Sequence, residues 1–110
     1  MTPVEILWYQ TATGRVPIAE WLDRQSDRAT RSRVVARLDL LALGVFGDWK
    51  SVGGGVFELR MNFGPGYRIY FARAGTSLIL LLLGGDKKTQ ARDIEKANAY
   101  WEDYKARSAP

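Results

Sequence analysis

The residues with the most chemical potential flank one turn. Arg60 and Arg68 lie on either side of Asn62-Phe63-Gly64-Pro65-Gly66, a composition that turns a chain sharply. A hairpin centred on Gly64 sets Arg60 opposite Arg68 and Glu58 opposite Tyr70. Side chains alternate along a strand, so these four share one sheet face. Phe57, Leu59, Ile69 and Phe71 take the other. Like charges placed directly opposite each other weaken a strand pair, and a bound anion is the simplest compensation. A second hairpin, centred on Gly75, brings the end of Leu78–Leu83 alongside Arg68. The loop Gly84-Gly85-Asp86-Lys87-Lys88 then leaves the sheet beside both arginines, with Lys87 or Lys88 in reach of the same pocket.

Two guanidiniums, one or two ammoniums and a phenol suit an RNA phosphodiester. Arginine forks match phosphate oxygens bidentately. Tyrosine stacks on a base or donates a proton. A lysine held among other cations is a proton carrier. RNA supplies its own nucleophile, the 2′-hydroxyl, so cleavage needs neither a metal nor a protein nucleophile. The arginines would stabilise the charge that builds on phosphorus. Plainer readings stand beside this one. An Arg–Glu pair on an exposed sheet face is commonly a solvated salt bridge. Tyr70 can serve in packing alone, with its hydroxyl in solvent. Lys87-Lys88 is ordinary loop composition. The arginine-rich half of the second helix is a solvated face or a docking surface.

Composition narrows the chemistry. The chain has no histidine and no cysteine, which removes the commonest general base, the commonest metal ligand and any disulfide framework. Asp86 and Asp93 lack metal-site spacing, and no cofactor is expected. Gly53-Gly54-Gly55 lacks the lysine and hydroxyl of a P-loop and reads as plain loop. A length of 110 residues fits a single domain, 1–110. The net charge of +4 is compatible with a polyanionic partner. The start, MTPVEILWYQ, lacks a signal-peptide pattern, and Leu78–Leu83 is too short to span a bilayer. A cytoplasmic protein is the expectation.

The elements that must position these residues follow from periodicity. Val4–Tyr9 predicts a strand covered on both faces, and Thr11–Arg15 a turn. Pro17 starts a helix with Ile18, Trp21, Leu22 and Gln25 on one side. Ser26 and Asp27 end it and cap a second helix, whose stripe is Val34, Val35, Leu38, Leu41, Ala42 and Val45. Gly44 and Gly47 close that helix, giving an αα-hairpin. Asp48–Gly55 is a loop. Val56–Met61, Tyr67–Arg73 and Leu78–Leu83 form an antiparallel three-strand meander, the last strand buried on both sides. Thr89 caps a helix to about Lys105, with Ile94, Ala97, Trp101 and Tyr104 inward. Trp21 and Trp101 are core residues, and Arg107–Pro110 is a frayed tail. The class is α+β: N-terminal strand, two-helix hairpin, meander, C-terminal helix.

Three motifs in this order, GGVFELR, GPGYRIYF and LLLLGGDKKTQARDIEKA followed by Tyr100-Trp101, resemble the addiction-module killer proteins. These are HigB-like toxins of the RelE/ParE superfamily, and the resemblance covers most of the chain. It implies two helices packed on one face of an antiparallel sheet. It also implies a cognate antitoxin, usually a helix-turn-helix protein, through which alone the pair touches operator DNA. For the RelE-like branch it implies mRNA cleavage, commonly on the ribosome. Arg60, Arg68 and Lys87 then match the catalytic set, and Tyr70, Lys88 and Gln90 the RNA contacts. Asp93 belongs to the same motif and reads as a helix cap. Ile94 stands where RelE carries a tyrosine, and the histidine of some HigB-like nucleases has no counterpart. Two alternatives therefore remain open: a ParE-like inhibitor of DNA gyrase without nuclease activity, and an inactive toxin fold that serves only in a repressor complex with its antitoxin.

Overall fold

The computed structural model describes residues 4–108. Its elements are β1 (Glu5–Trp8), α1 (Pro17–Asp23), α2 (Arg28–Ala42), β2 (Trp49–Gly53), β3 (Val56–Met61), β4 (Tyr67–Ala74), β5 (Leu78–Asp86) and α3 (Gln90–Ser108). A short 3-10 turn, Lys87–Thr89, joins β5 to α3. The class is α+β, with one five-stranded mixed sheet in the order β1-β5-β4-β3-β2.

Strands β3 and β4 form the expected hairpin. Arg60 pairs with Arg68, Glu58 with Tyr70 and Leu59 with Ile69. The period-two alternation of both strands holds this register, because a one-residue slip would expose the apolar set. Strand β5 follows antiparallel, with an irregularity between Tyr70 and Phe71, and puts Gly85 opposite Arg68.

The meander differs from the expectation in three ways. Asp48–Gly55 is not all loop: Trp49–Gly53 forms an edge strand, so the antiparallel part has four strands. Trp-Lys-Ser-Val shows no clear alternation, which hid it. Strand β5 runs on through Gly84, Gly85 and Asp86 instead of ending at Leu83. Strand β1 pairs only with β5, in parallel, and is an edge. Leu7 and Trp8 are exposed there, so β1 is not covered on both faces.

Helices cover both faces of the sheet. On one, Ile18, Trp21 and Leu22 of α1 and Val34, Leu38 and Leu41 of α2 meet Leu59, Met61, Ile69, Phe71, Ile79 and Leu81. Val35 and Val45, expected in the α2 stripe, are exposed instead. On the other face Ala97 and Trp101 of α3 pack on Val56, Tyr70, Ala72, Leu80 and Leu82. Trp21 and Trp101 are both core residues, as their spacing implied. Gly84 is required where α1 crosses: a Cβ there would lie 2.2 Å from the Trp21 indole. Asp27 caps α2 through the Ala29 and Thr30 amides. Asp86, rather than Thr89, is the cap at the far end; its carboxylate accepts from the Lys88 and Thr89 amides. Helix α3 extends beyond Lys105 to Ser108, and the tail expected past that point lies outside the described residues.

Candidate functional site

The structure brings Arg68 together with Glu58 and the Lys87 stem near the turn end of the β3–β4 hairpin, and separates Arg60 from them. Arg60 and Arg68 are register partners, yet their guanidiniums take different carboxylates. Arg60 binds Asp48, with Nη2 at 2.8 Å and Nε at 3.2 Å from the same oxygen. That bond, more than any other contact, holds the Asp48 carboxyl below the usual aspartate range. Arg68 turns the other way. Its Nη1 donates to the Gly66 and Tyr67 carbonyls at 3.0 and 3.1 Å, and its Nε lies 3.6 Å from Glu58 Oε1. The opposed arginines therefore need no external anion, since the fold supplies two. Asp48 precedes the edge strand that sequence periodicity did not reveal, so this partner had no signal.

The face that carries Glu58, Arg68 and Tyr70 is not open. Helix α3 lies over it, and Glu58 and Tyr70 are 0% exposed. Glu58 Oε2 accepts from Gln90 Nε2 at 2.6 Å and from the Tyr70 hydroxyl at 3.4 Å. The remaining carboxylate oxygen and Arg68 Nε are buried and face each other just beyond hydrogen-bond length. Burial, reinforced by the charges of Glu58 and Asp93, pushes the Tyr70 phenol far above its ordinary value and keeps it protonated. Two expectations change here. Tyr70 presents no ring for a base to stack on. Gln90 spends its amide on Glu58, in a position to hold that carboxylate rather than a nucleotide.

Lys87 and Lys88 are exposed, on the turn that follows β5. Gly66 shows how near Lys87 comes to Arg68. A Cβ built on Gly66 would lie 3.4 Å from both Arg68 Nη1 and Lys87 Cβ. The ammonium stem and the guanidinium thus border the same residue. Beside them a polar cleft of about 300 Å³ opens between α1, the end of β5 and α3, with Arg24, Arg92 and Lys96 among its walls. Neither periodicity nor motif singled out these three cations. Asp93, expected as a helix cap, instead lies buried in the first turn of α3 beside the cleft and accepts from the Thr89 hydroxyl, while Asp86 supplies the cap. Among the described residues, no three His, Cys, Asp or Glu side chains gather as a metal ion would require. No described helix is long and apolar enough to cross a membrane.

The site is thus a cationic turn beside a buried, braced arginine in a small α+β domain. Comparison with known proteins gives the family. The family described as Phage derived protein Gp49-like (DUF891) matches residues 20–102, and the chain belongs to it. Membership agrees with the resemblance carried by the three motifs, that of the RelE-like addiction-module killers. A protein of Haemophilus influenzae, described as an uncharacterized protein, is 44% identical over 77 residues, covering 70% of this chain and 78% of its own.

Proposed function

We propose that this chain is the toxin of a type II toxin–antitoxin pair and that it cleaves translated mRNA without a metal ion. Membership of the Gp49-like family supports the toxin reading. The meeting of Arg68 and Lys87 across Gly66 is the observation that carries the reaction. The scissile phosphate would sit on the Lys87–Lys88 turn, against the rim of Arg68. The RNA 2′-oxygen attacks phosphorus and passes its proton to solvent water. The bond from phosphorus to the 5′-oxygen breaks, and the Lys87 ammonium protonates that leaving oxygen. The products are a 2′,3′-cyclic phosphate and a 5′-hydroxyl. Arg68 stabilises the charge on phosphorus, and Lys88 holds the neighbouring phosphate. Arg60, a third exposed, exchanges Asp48 for a backbone oxygen of the RNA. Tyr70 and Gln90 act through Glu58, which orients Arg68. A helix-turn-helix antitoxin neutralises the chain and carries the pair to operator DNA.

Primer extension on a translated mRNA, with and without EDTA, tests this. Wild type cuts in both conditions, and Lys87→Ala cuts on the order of a hundredfold less. Unchanged cutting by Lys87→Ala, or complete loss in EDTA, would sink the mechanism.

The burial of Tyr70 and the neutralisation of Arg68 by Glu58 favour a second reading, a ParE-like inhibitor that binds DNA gyrase and cuts nothing. Inhibition of gyrase supercoiling without RNA cleavage would select it.

A further inference from the structure

The polar cleft between α1, the end of β5 and α3 holds a carboxylate that the mechanism above does not use. Asp93 is one of its lining residues, and that side chain is 5% exposed. Gly85 makes room for it, since a Cβ there would collide with the carboxylate. Gly85 is the register partner of Arg68. The buried layer under α3 thus holds two carboxylates, Glu58 and Asp93, to one guanidinium. Glu58 takes that guanidinium. Asp93 joins no ion pair among the described residues. One of its oxygens accepts from the Thr89 hydroxyl, and the other has no hydrogen-bond partner among the described residues. A buried carboxylate left in this state is costly, and a ligand that brings N–H donors relieves the cost. The rim of the cleft has the opposite sign. Arg24, Arg92 and Lys96 are exposed on it, and they too join no ion pair among the described residues.

We infer that this cleft is a base subsite that reads guanine in the RNA, with Asp93 as the specificity-determining residue; the inference rests on the nuclease reading. Two charges of opposite sign select the ligand. The cationic rim repels a free cation and draws phosphate. The anionic floor rejects a bare anion and takes neutral N–H donors. A nucleotide answers both, with its phosphate at the rim and its base inside. Among the RNA bases, only guanine presents two adjacent donors, N1–H and the N2 amino group, to a carboxylate. In adenine and cytosine the exocyclic amine sits beside a ring-nitrogen acceptor. Uracil N3–H lies between two carbonyls. Each of those acceptors would face the carboxylate and be repelled. The guanidinium planes of Arg24 and Arg92 are stacking surfaces for the base, and Lys96 meets a phosphate. A volume of about 300 Å³ lies at the small end of ligand clefts and suits one nucleotide. Asp86 and Thr89, on either side of Lys87 and Lys88, also line the cleft. The guanine therefore belongs to the nucleotide next to the scissile phosphate.

The test uses the full chain and a short RNA whose 2′-hydroxyls are methylated, so that it binds without being cut, with Kd measured by fluorescence anisotropy. A strand with one guanine should bind roughly tenfold or more tighter than the same strand with inosine, which lacks only the N2 amino group. That comparison changes the RNA alone, so misfolding cannot produce it. Asp93→Asn should abolish the preference. Its amide oxygen can still accept from Thr89, which keeps the first turn of α3. Equal Kd values for the two strands in wild type overturn the inference, as does a preference that survives Asp93→Asn. Cleavage of the unmethylated strands is read separately. Cutting that ignores the exchange of guanine for inosine overturns the inference and leaves the nuclease reading standing. Guanine-dependent binding without cutting does the reverse: it overturns the nuclease reading and keeps the cleft as a guanine site. Binding of neither strand overturns both.

Discussion

The two faces of the sheet are both buried, but by different physics. Under α1 and α2 the layer is apolar throughout, with Leu59, Ile69, Phe71 and Leu81 all at 0% exposure. Under α3 the layer is split. Val56, Tyr70, Ala72 and Leu82 form an apolar half, and Glu58, Arg68, Tyr70 and Gln90 a polar one. The first face is held by area removed from water, which is non-directional and tolerant of exchange. The second is held by a buried ion pair, whose attraction barely offsets the loss of hydration. Such a pair does little for stability unless both partners are present. It does fix where a guanidinium points. The α1–α2 face thus supplies apolar burial, and the α3 face fixes the orientation of the Arg68 guanidinium.

Urea unfolding of single and paired variants sharpens that contrast most strongly. Phe71→Ala on the apolar face should cost about 3–5 kcal/mol, the lost transfer energy plus a cavity. Glu58→Leu on the polar face should cost a similar amount, about 3–5 kcal/mol, because Arg68 is left charged and unpaired. Adding Arg68→Met to Glu58→Leu should recover most of that loss. Failure of the second substitution to recover stability would show that the pair is itself a stabilising element, and the contrast between the faces would fall.

A smaller effect separates the members of the polar network. Tyr70→Phe keeps the ring and removes one long hydrogen bond, while Gln90 still serves the same Glu58 oxygen. Stability should fall by less than about 1 kcal/mol. On the proposed nuclease reading, RNA cleavage by Tyr70→Phe should fall by more than this slight loss of stability explains, because the network orients Arg68. Equal, slight losses in both would leave Tyr70 a packing residue only.

The smallest effect concerns the arginine outside this network. Arg60 holds the Asp48 carboxyl below its ordinary value of 3.8. A carboxyl with a depressed folded value contributes stability above its unfolded value, and loses that contribution as pH falls through the folded one. The pair is exposed and screened, so the gain is slight. The urea midpoint of wild type should exceed that of Asp48→Asn at neutral pH, and the gap should close below pH 3.8. A gap that widens on acidification would contradict the pairing.

The hairpin register was legible from residue order. Alternating side chains on either side of a glycine-rich turn leave one pairing that buries Leu59 and Ile69 together, and that pairing is present. The stripes that bury Val34, Leu38 and Leu41 on α2, and Ala97 and Trp101 on α3, were legible for the same reason. Lys87 was placed near Arg68 by following β5 out of the sheet. Strand β2 was not legible. Its residues carry no alternation, and its pairing comes from β3, the strand that follows it.

Arg60 and Arg68 show where residue order stops. By itself the sequence set them opposite each other, because register follows from local periodicity and turn chemistry. Their counter-charges are another matter. Asp48 reaches Arg60 only once an edge strand docks, and Gln90 reaches Glu58 across 32 residues only once α3 folds back over the sheet. Burial is a property of what covers a surface, and a helix stripe says that it will cover something without saying what. Tertiary structure alone decided that the polar face is closed, that Arg68 is braced by Glu58, and that Arg60 turns away to Asp48.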